Sequence, residues 1–148
     1  MGEIVYRPIG LVRSPFRHSE GAPIHASLAS ASLGKVVVFP DFASGLDDIE
    51  GFSHLVLLWH CHCKKSPDAD SSPDGDEMRG VFATRSSSRP NPIGLSVVEL
   101  MKREGNTLHV RGLDILDGTP VLDIKPHMPE AGERSVSARK PLQKRQKR

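Results

Sequence analysis

Apolar and polar residues alternate with a period of two along most of this chain, the spacing that sends successive side chains to opposite faces of a β-strand. Seven segments carry the pattern and predict strands: residues 4–12, 34–39, 52–63, 80–84, 94–101, 107–113 and 120–124. The first contains Pro8, which cannot donate to a ladder, and so reads as an edge strand. The third, FSHLVLLWHCHC, is the longest apolar stretch and reads as the central strand. Turn-rich links separate the segments, among them Glu104-Gly105-Asn106 and Asp117-Gly118-Thr119-Pro120. Helical periodicity is weak everywhere, with one short turn expected at 43–49. Seven short strands without interleaved helices predict a mainly all-β fold, an antiparallel barrel or sandwich.

Composition narrows this picture. The chain has 148 residues, enough for one domain with a real core, and its scarce aromatics (one Trp, one Tyr, five Phe) leave that core to Val, Leu and Ile. No apolar run approaches the length of a membrane span, and MGEIVYRPIG lacks the basic-then-apolar order of a signal peptide, so a cytoplasmic protein is expected. The net charge of +2 conceals an asymmetry. Residues 131–148 hold seven Lys or Arg against one acid, a net of +6, whereas residues 1–130 hold 13 basic and 17 acidic residues, a net of −4. The expected organisation is a β domain over 1–130 and a basic, disordered tail over 131–148 whose charge suits an anionic partner, nucleic acid first. Residues 64–78, rich in Asp, Ser and Pro, read as a mobile polar loop.

Two segments concentrate the chemistry. In GVFATRSSSRPNPIG, Arg85 and Arg89 flank three serines, and Asn91 lies between Pro90 and Pro92 in a stiff, non-helical run. Such a loop offers guanidiniums and an amide with little entropy left to lose on binding. In GLDILDGTPVLDIKP, Asp114, Asp117 and Asp123 surround an Asp-Gly turn, more charge than a core can use. Asp123 and Lys125 share a strand face and are expected to pair with each other. The chain has no Gly-x-Gly, His-Glu-x-x-His or Gly-x-Ser-x-Gly, which sets aside dinucleotide-fingerprint, P-loop and the commonest metalloprotease and hydrolase readings. In His60-Cys61-His62-Cys63 a strand would point the histidines one way and the cysteines the other, so neither a metal site nor a disulfide is expected.

Together GVFATRS…RPNPIGLS, GLDDIEGFSHLVLLW, IGLVRSPF and LDGTPVLDIKP resemble the TrmO (TsaA-like, formerly YaeB) family over about residues 4–129. That family consists of S-adenosylmethionine-dependent tRNA methyltransferases. The resemblance implies a small antiparallel β-barrel working as a homodimer, and methylation of N6 of threonylcarbamoyladenosine at position 37 of tRNA. Carried over by motif, it implies a cofactor pocket drawing on Pro15, Phe16 and Arg17, on His62 and Cys63, on Arg85 and Leu95, and on Asp114, Ile115, Leu116 and Asp117. Arg89 and Asn91 fall near the substrate or across a dimer interface, and Asp114, Asp117 and Asn91 are candidate catalytic groups. The residue types suit the ligand: arginines match a carboxylate, and aspartates match an ammonium, a sulfonium and ribose hydroxyls. Plainer roles stay open, with Arg85 and Arg89 in surface ion pairs, His62 as a hydrogen-bonded core residue and Asp117 serving its own turn. So do a non-catalytic S-adenosylmethionine or RNA-binding barrel and a small-molecule methyltransferase. The chain departs from the family pattern at Ser86-Ser87-Ser88 and at His25.

Overall fold

Burial follows the period-two pattern strand by strand, and the strands close on themselves. The computed structural model describes residues 1–17, 31–62 and 80–128. Six strands, β1 (Gly10–Arg13), β2 (Leu33–Val38), β3 (His54–His60), β4 (Ile93–Glu104), β5 (Thr107–Arg111) and β6 (Pro120–Pro126), form a closed barrel in the order β1-β2-β5-β4-β3-β6. Every neighbouring pair is antiparallel. Alternate residues point inward, so Val12, Val36, Val38, Leu55, Leu57, Val98, Leu108, Val110 and Val121 fill the interior. The buried apolar core is Val, Leu and Ile throughout, as the composition required. Each such side chain withdrawn from water contributes about 1.5–3 kcal/mol before entropy is counted.

Three sequence expectations need correction. Residues 80–84 form no strand; Val81–Ala83 is a 3-10 turn, and the Thr84 hydroxyl donates to Val81 O at 2.8 Å. The first strand spans only Gly10–Arg13 and has no free edge, because β2 and β6 pair with it on either side. Pro8 lies before it, and Ile4, Val5 and Tyr6 are exposed. β3 ends at His60, so the strand alternation assumed onward from there does not hold at Cys61 and His62. The short turn expected at 43–49 appears as two 3-10 segments, Pro40–Leu46 and Ile49–Gly51. Leu46 is buried at that end of the barrel, and Arg103 Nη1 donates to its carbonyl at 2.9 Å. Cys63, the polar loop of 64–78, most of the Ala/Ser-rich 21–32 stretch and the basic tail of 131–148 lie outside the described residues. No helix among the described residues is long and apolar enough to cross a membrane.

Because neighbouring strands are antiparallel all round the barrel, successive strands alternate in direction. The connections β1–β2, β3–β4 and β5–β6 all leave from the same end of the barrel. Residues 15–17, 62, 85–91 and 114–117 therefore reach one mouth, although they are dispersed over a hundred positions.

Candidate functional site

The mouth is built by lacing the loop after β1 to the loop before β6. Ser14 N–H donates to Asp117 Oδ1 at 3.0 Å, and Ser14 Oγ donates to Ile115 O at 2.6 Å while accepting the Phe16 N–H at 3.2 Å. The Asp117 N–H donates back to Phe16 O at 2.7 Å, and the Gly118 N–H to Val12 O at 2.8 Å. Gly118 has φ of 77°, a left-handed conformation that suits glycine and lets the chain reverse there. The Asp117 carboxylate thus ties its turn to the loop after β1, and its second oxygen lies 3.9 Å from Arg13 Nη1. An open cleft of about 540 Å³ follows this loop, lined by Arg13, Ser14, Pro15, Arg17, Lys35 and Asp117 among others.

On the other side of the mouth a hydrogen-bond relay fixes the second carboxylate. Trp59 Nε1–H donates to Ser96 Oγ at 3.1 Å, and Ser96 Oγ donates to Asp114 Oδ1 at 2.7 Å. Ser96 is buried on the inner face of β4, whereas Trp59 and Asp114 are half-buried at the rim. The Trp59 ring lies over Gly94, where any Cβ would overlap it. That close approach accounts for the glycine of RPNPIG. Thr119, almost fully buried, donates its hydroxyl proton to Leu116 O at 2.7 Å and lies 3.3 Å from His62 Nδ1. With that one hydroxyl proton committed, the contact requires Nδ1–H of His62 as donor and leaves Nε2 to face outward on an exposed ring. His62 is a rim residue, not a core one.

The remaining expected residues divide. Pro15 and Arg17 are exposed and Phe16 is half-buried on the first loop, while Ile115 is fully buried in the core and Leu116 half-buried beneath the turn. Arg89 Nη1 donates to Thr84 O at 3.1 Å and Ser86 O at 3.2 Å, so its guanidinium clasps its own loop and makes no ion pair among the described residues. Arg85 is exposed and has no partner among the described residues. Asn91 is exposed in the turn that the Cys61 N–H ties to β3 through Pro92 O, at 2.8 Å. Leu95 lies on the outside of β4 with Ile93 and Val97, all exposed, while its neighbours Gly94 and Ser96 face inward. Asp123 pairs with Lys125 at 2.7 Å, as their shared face predicted. Among the described residues no group of three or more His, Cys, Asp or Glu is arranged to hold a metal.

Sequence reading missed Trp59, Ser96, Ser14 and Thr119, which orient the two carboxylates and His62. Ser96 carried a usable signal: in the alternation Gly94, Ser96, Val98, Leu100 it is the polar residue among inward positions. Trp59 is the single tryptophan, and it interrupts the most apolar strand at the rim.

A family model described as the tRNA-methyltransferase O N-terminal domain matches residues 11–133. A probable S-adenosyl-L-methionine-binding protein of Pyrococcus abyssi is 54% identical over 128 residues, which is 86% of this chain and 70% of that protein. The tRNA (adenine(37)-N6)-methyltransferase of Escherichia coli K12 is 35% identical over 144 residues, 88% of this chain and 60% of the enzyme. A crystal structure of TrmO from Pseudomonas aeruginosa superposes with a TM-score of 0.71 at 39% identity, covering 91% of this chain and 60% of that one. The chain therefore spans less than two thirds of the Escherichia coli and Pseudomonas proteins.

Proposed function

Because the chain belongs to the tRNA-methyltransferase O N-terminal domain family, we propose that it is an S-adenosylmethionine-dependent methyltransferase whose acceptor is N6 of threonylcarbamoyladenosine at position 37 of tRNA. The observation that carries this reading is the gathering of three loops around two half-buried carboxylates, Asp114 and Asp117, at one open barrel mouth. The donor set fits the cofactor. Asp114 and Asp117 offer acceptors for an ammonium and ribose hydroxyls, Arg17 and Arg85 offer cations for a carboxylate, and Trp59 offers a flat apolar face. His62 would add its outward Nε2. S-adenosylmethionine supplies an electrophilic methyl group when bound.

The chain's own residues have two tasks, to hold the acceptor in line and to take its proton. Asp114 suits the second. Its Oδ1 is held by Ser96, and its Oδ2 has no partner among the described residues. Asp117 is instead committed to the Ser14 N–H and the turn, and the Asn91 amide is no base. Leu95 points outward from β4, so a pocket containing it draws it from a second copy. The exposed stripe of Ile93, Leu95 and Val97 supports a homodimer of this kind.

The test is calorimetric titration with S-adenosylmethionine, followed by methyl transfer to tRNA carrying threonylcarbamoyladenosine. Micromolar binding and transfer are expected, with Asp114→Asn lowering transfer by about 10²-fold or more while binding changes far less. A folded protein that binds no S-adenosylmethionine, alone or with tRNA present, would overturn the reading. Binding without transfer would favour a non-catalytic S-adenosylmethionine-binding barrel.

A further inference from the structure

Four basic side chains that are far apart in the sequence stand in one row on the outside of the barrel. The register sets Arg13 of β1 against Lys35 of β2, Lys35 against His109 of β5, and His109 against Lys102 of β4. Arg13, Lys35 and Lys102 are exposed and His109 half-buried, all on the outer face. At about 4.8 Å per strand the row is roughly 14 Å long. Like charges directly opposite each other weaken a sheet, so folding alone gives no reason to align them. Lys35, in the middle, has no acidic partner among the described residues. At one end the row runs into the cleft beside Asp117, where Arg17 adds a further cation. At the other end Glu104 binds both Lys102 Nζ, at 2.6 Å, and His109 Nε2, at 2.8 Å.

The turn-rich far end carries Asp41, Asp47, Asp48 and Glu50. Arg13, Lys35 and Lys102 instead set exposed cations along a line that leads to the mouth.

We propose that this face is where the sugar-phosphate backbone of the RNA substrate lies, with its phosphates on Lys35 and the Arg13–Arg17 cleft and with Glu104 limiting the pull of Lys102 and His109. A regular line of exposed cations without aromatic side chains between them suits phosphates better than bases. The proposal rests on the tRNA reading above and adds which surface holds the substrate. Lys35 stands where the row meets the cleft, whereas Glu104 lies at the opposite end of the row, away from the cofactor residues.

The experiment measures binding of a tRNA transcript over a range of salt concentrations, using the full chain. Lys35→Ala should flatten the slope of log K against log salt by roughly 0.7–0.9, one phosphate contact. Glu104→Gln, which frees two basic groups, should shift binding the opposite way and tighten it. Lys125→Ala, across the barrel in its pair with Asp123, should match the wild type. The melting temperature of Lys35→Ala and the S-adenosylmethionine affinity of Glu104→Gln should be unchanged. If the wild type binds tRNA while Lys35→Ala and Glu104→Gln are indistinguishable from it, or Lys125→Ala behaves like Lys35→Ala, the face is wrong and the enzyme reading stands. If Lys35→Ala also loses melting temperature, the lysine is structural and the proposal falls. A wild type that binds S-adenosylmethionine but no tRNA at any salt overturns both.

Discussion

Replacing Gly94 by Ala tests whether the mouth is built as described. The added Cβ would overlap Cε2, Cζ2 and Cδ2 of Trp59, a rigid ring and not the free end of a flexible side chain. Either β4 must move away from β3 or the ring must swing outward. The first breaks the ladder opposite Trp59, and the second pulls Nε1 away from Ser96 Oγ, now 3.1 Å distant. Overpacking of this kind costs about 1–3 kcal/mol, and the lost hydrogen bond adds about 1. For a domain of this size each kcal/mol lowers the melting temperature by about 4 °C, so the fall should be roughly 8–16 °C. The chain's single tryptophan makes the assay specific, because its fluorescence reports this ring and no other. The emission should shift as the ring leaves its place over β4, and S-adenosylmethionine affinity should fall with it. Gly45→Ala is the control, since a Cβ there meets nothing within 4 Å, and it should change stability by less than about 1 kcal/mol. A Gly94→Ala protein that melts within a degree or two of the wild type with unchanged emission would refute the packing argument.

Two further predictions follow from the charges. Arg85 is exposed with no partner among the described residues, so Arg85→Ala should leave the melting temperature of the cofactor-free protein unchanged while weakening S-adenosylmethionine binding; a large loss of melting temperature would mean that the arginine is structural. Lys102 and His109 beside Glu104 hold its carboxyl below the ordinary 4.5. A depressed carboxylate stabilises the fold above its unfolded-state pKa and loses that contribution as the pH falls through the depressed one. The melting-temperature difference between wild type and Glu104→Gln should therefore be small near neutrality, as befits an exposed group, and disappear well below pH 4.5 and at high salt. A difference that grows on acidification would contradict that sign.

The strands were legible wherever alternation had a consequence for burial. Residues 34–39, 94–101, 107–113 and 120–124 each lie within a residue or two of β2, β4, β5 and β6 or inside them, because one face had to be buried against the core. Legibility failed where backbone partners, not side chains, decide. Residues 80–84 are apolar enough for a strand, but the Ala83 N–H donates to Gly80 O and the Thr84 N–H to Val81 O, closing a turn there, and residues 4–8 alternate without belonging to the barrel. The loop chemistry was visible as composition, since proline stiffens 89–92 and an Asp-Gly pair marks a turn wherever it falls. What sequence alone determined is thus local: strand faces, turns, and the motifs that mark the family. What only the tertiary structure decided is which residues meet. Trp59, Ser96 and Asp114 share a relay because β3 and β4 pair in one register and the turn before β6 folds over them. Arg13, Lys35, His109 and Lys102 form a row because closure puts β2 beside β5, across some seventy residues of chain. Neighbourhoods of that kind depend on strand order and register, which are set by the packing of the whole barrel, so no window of the sequence contains them.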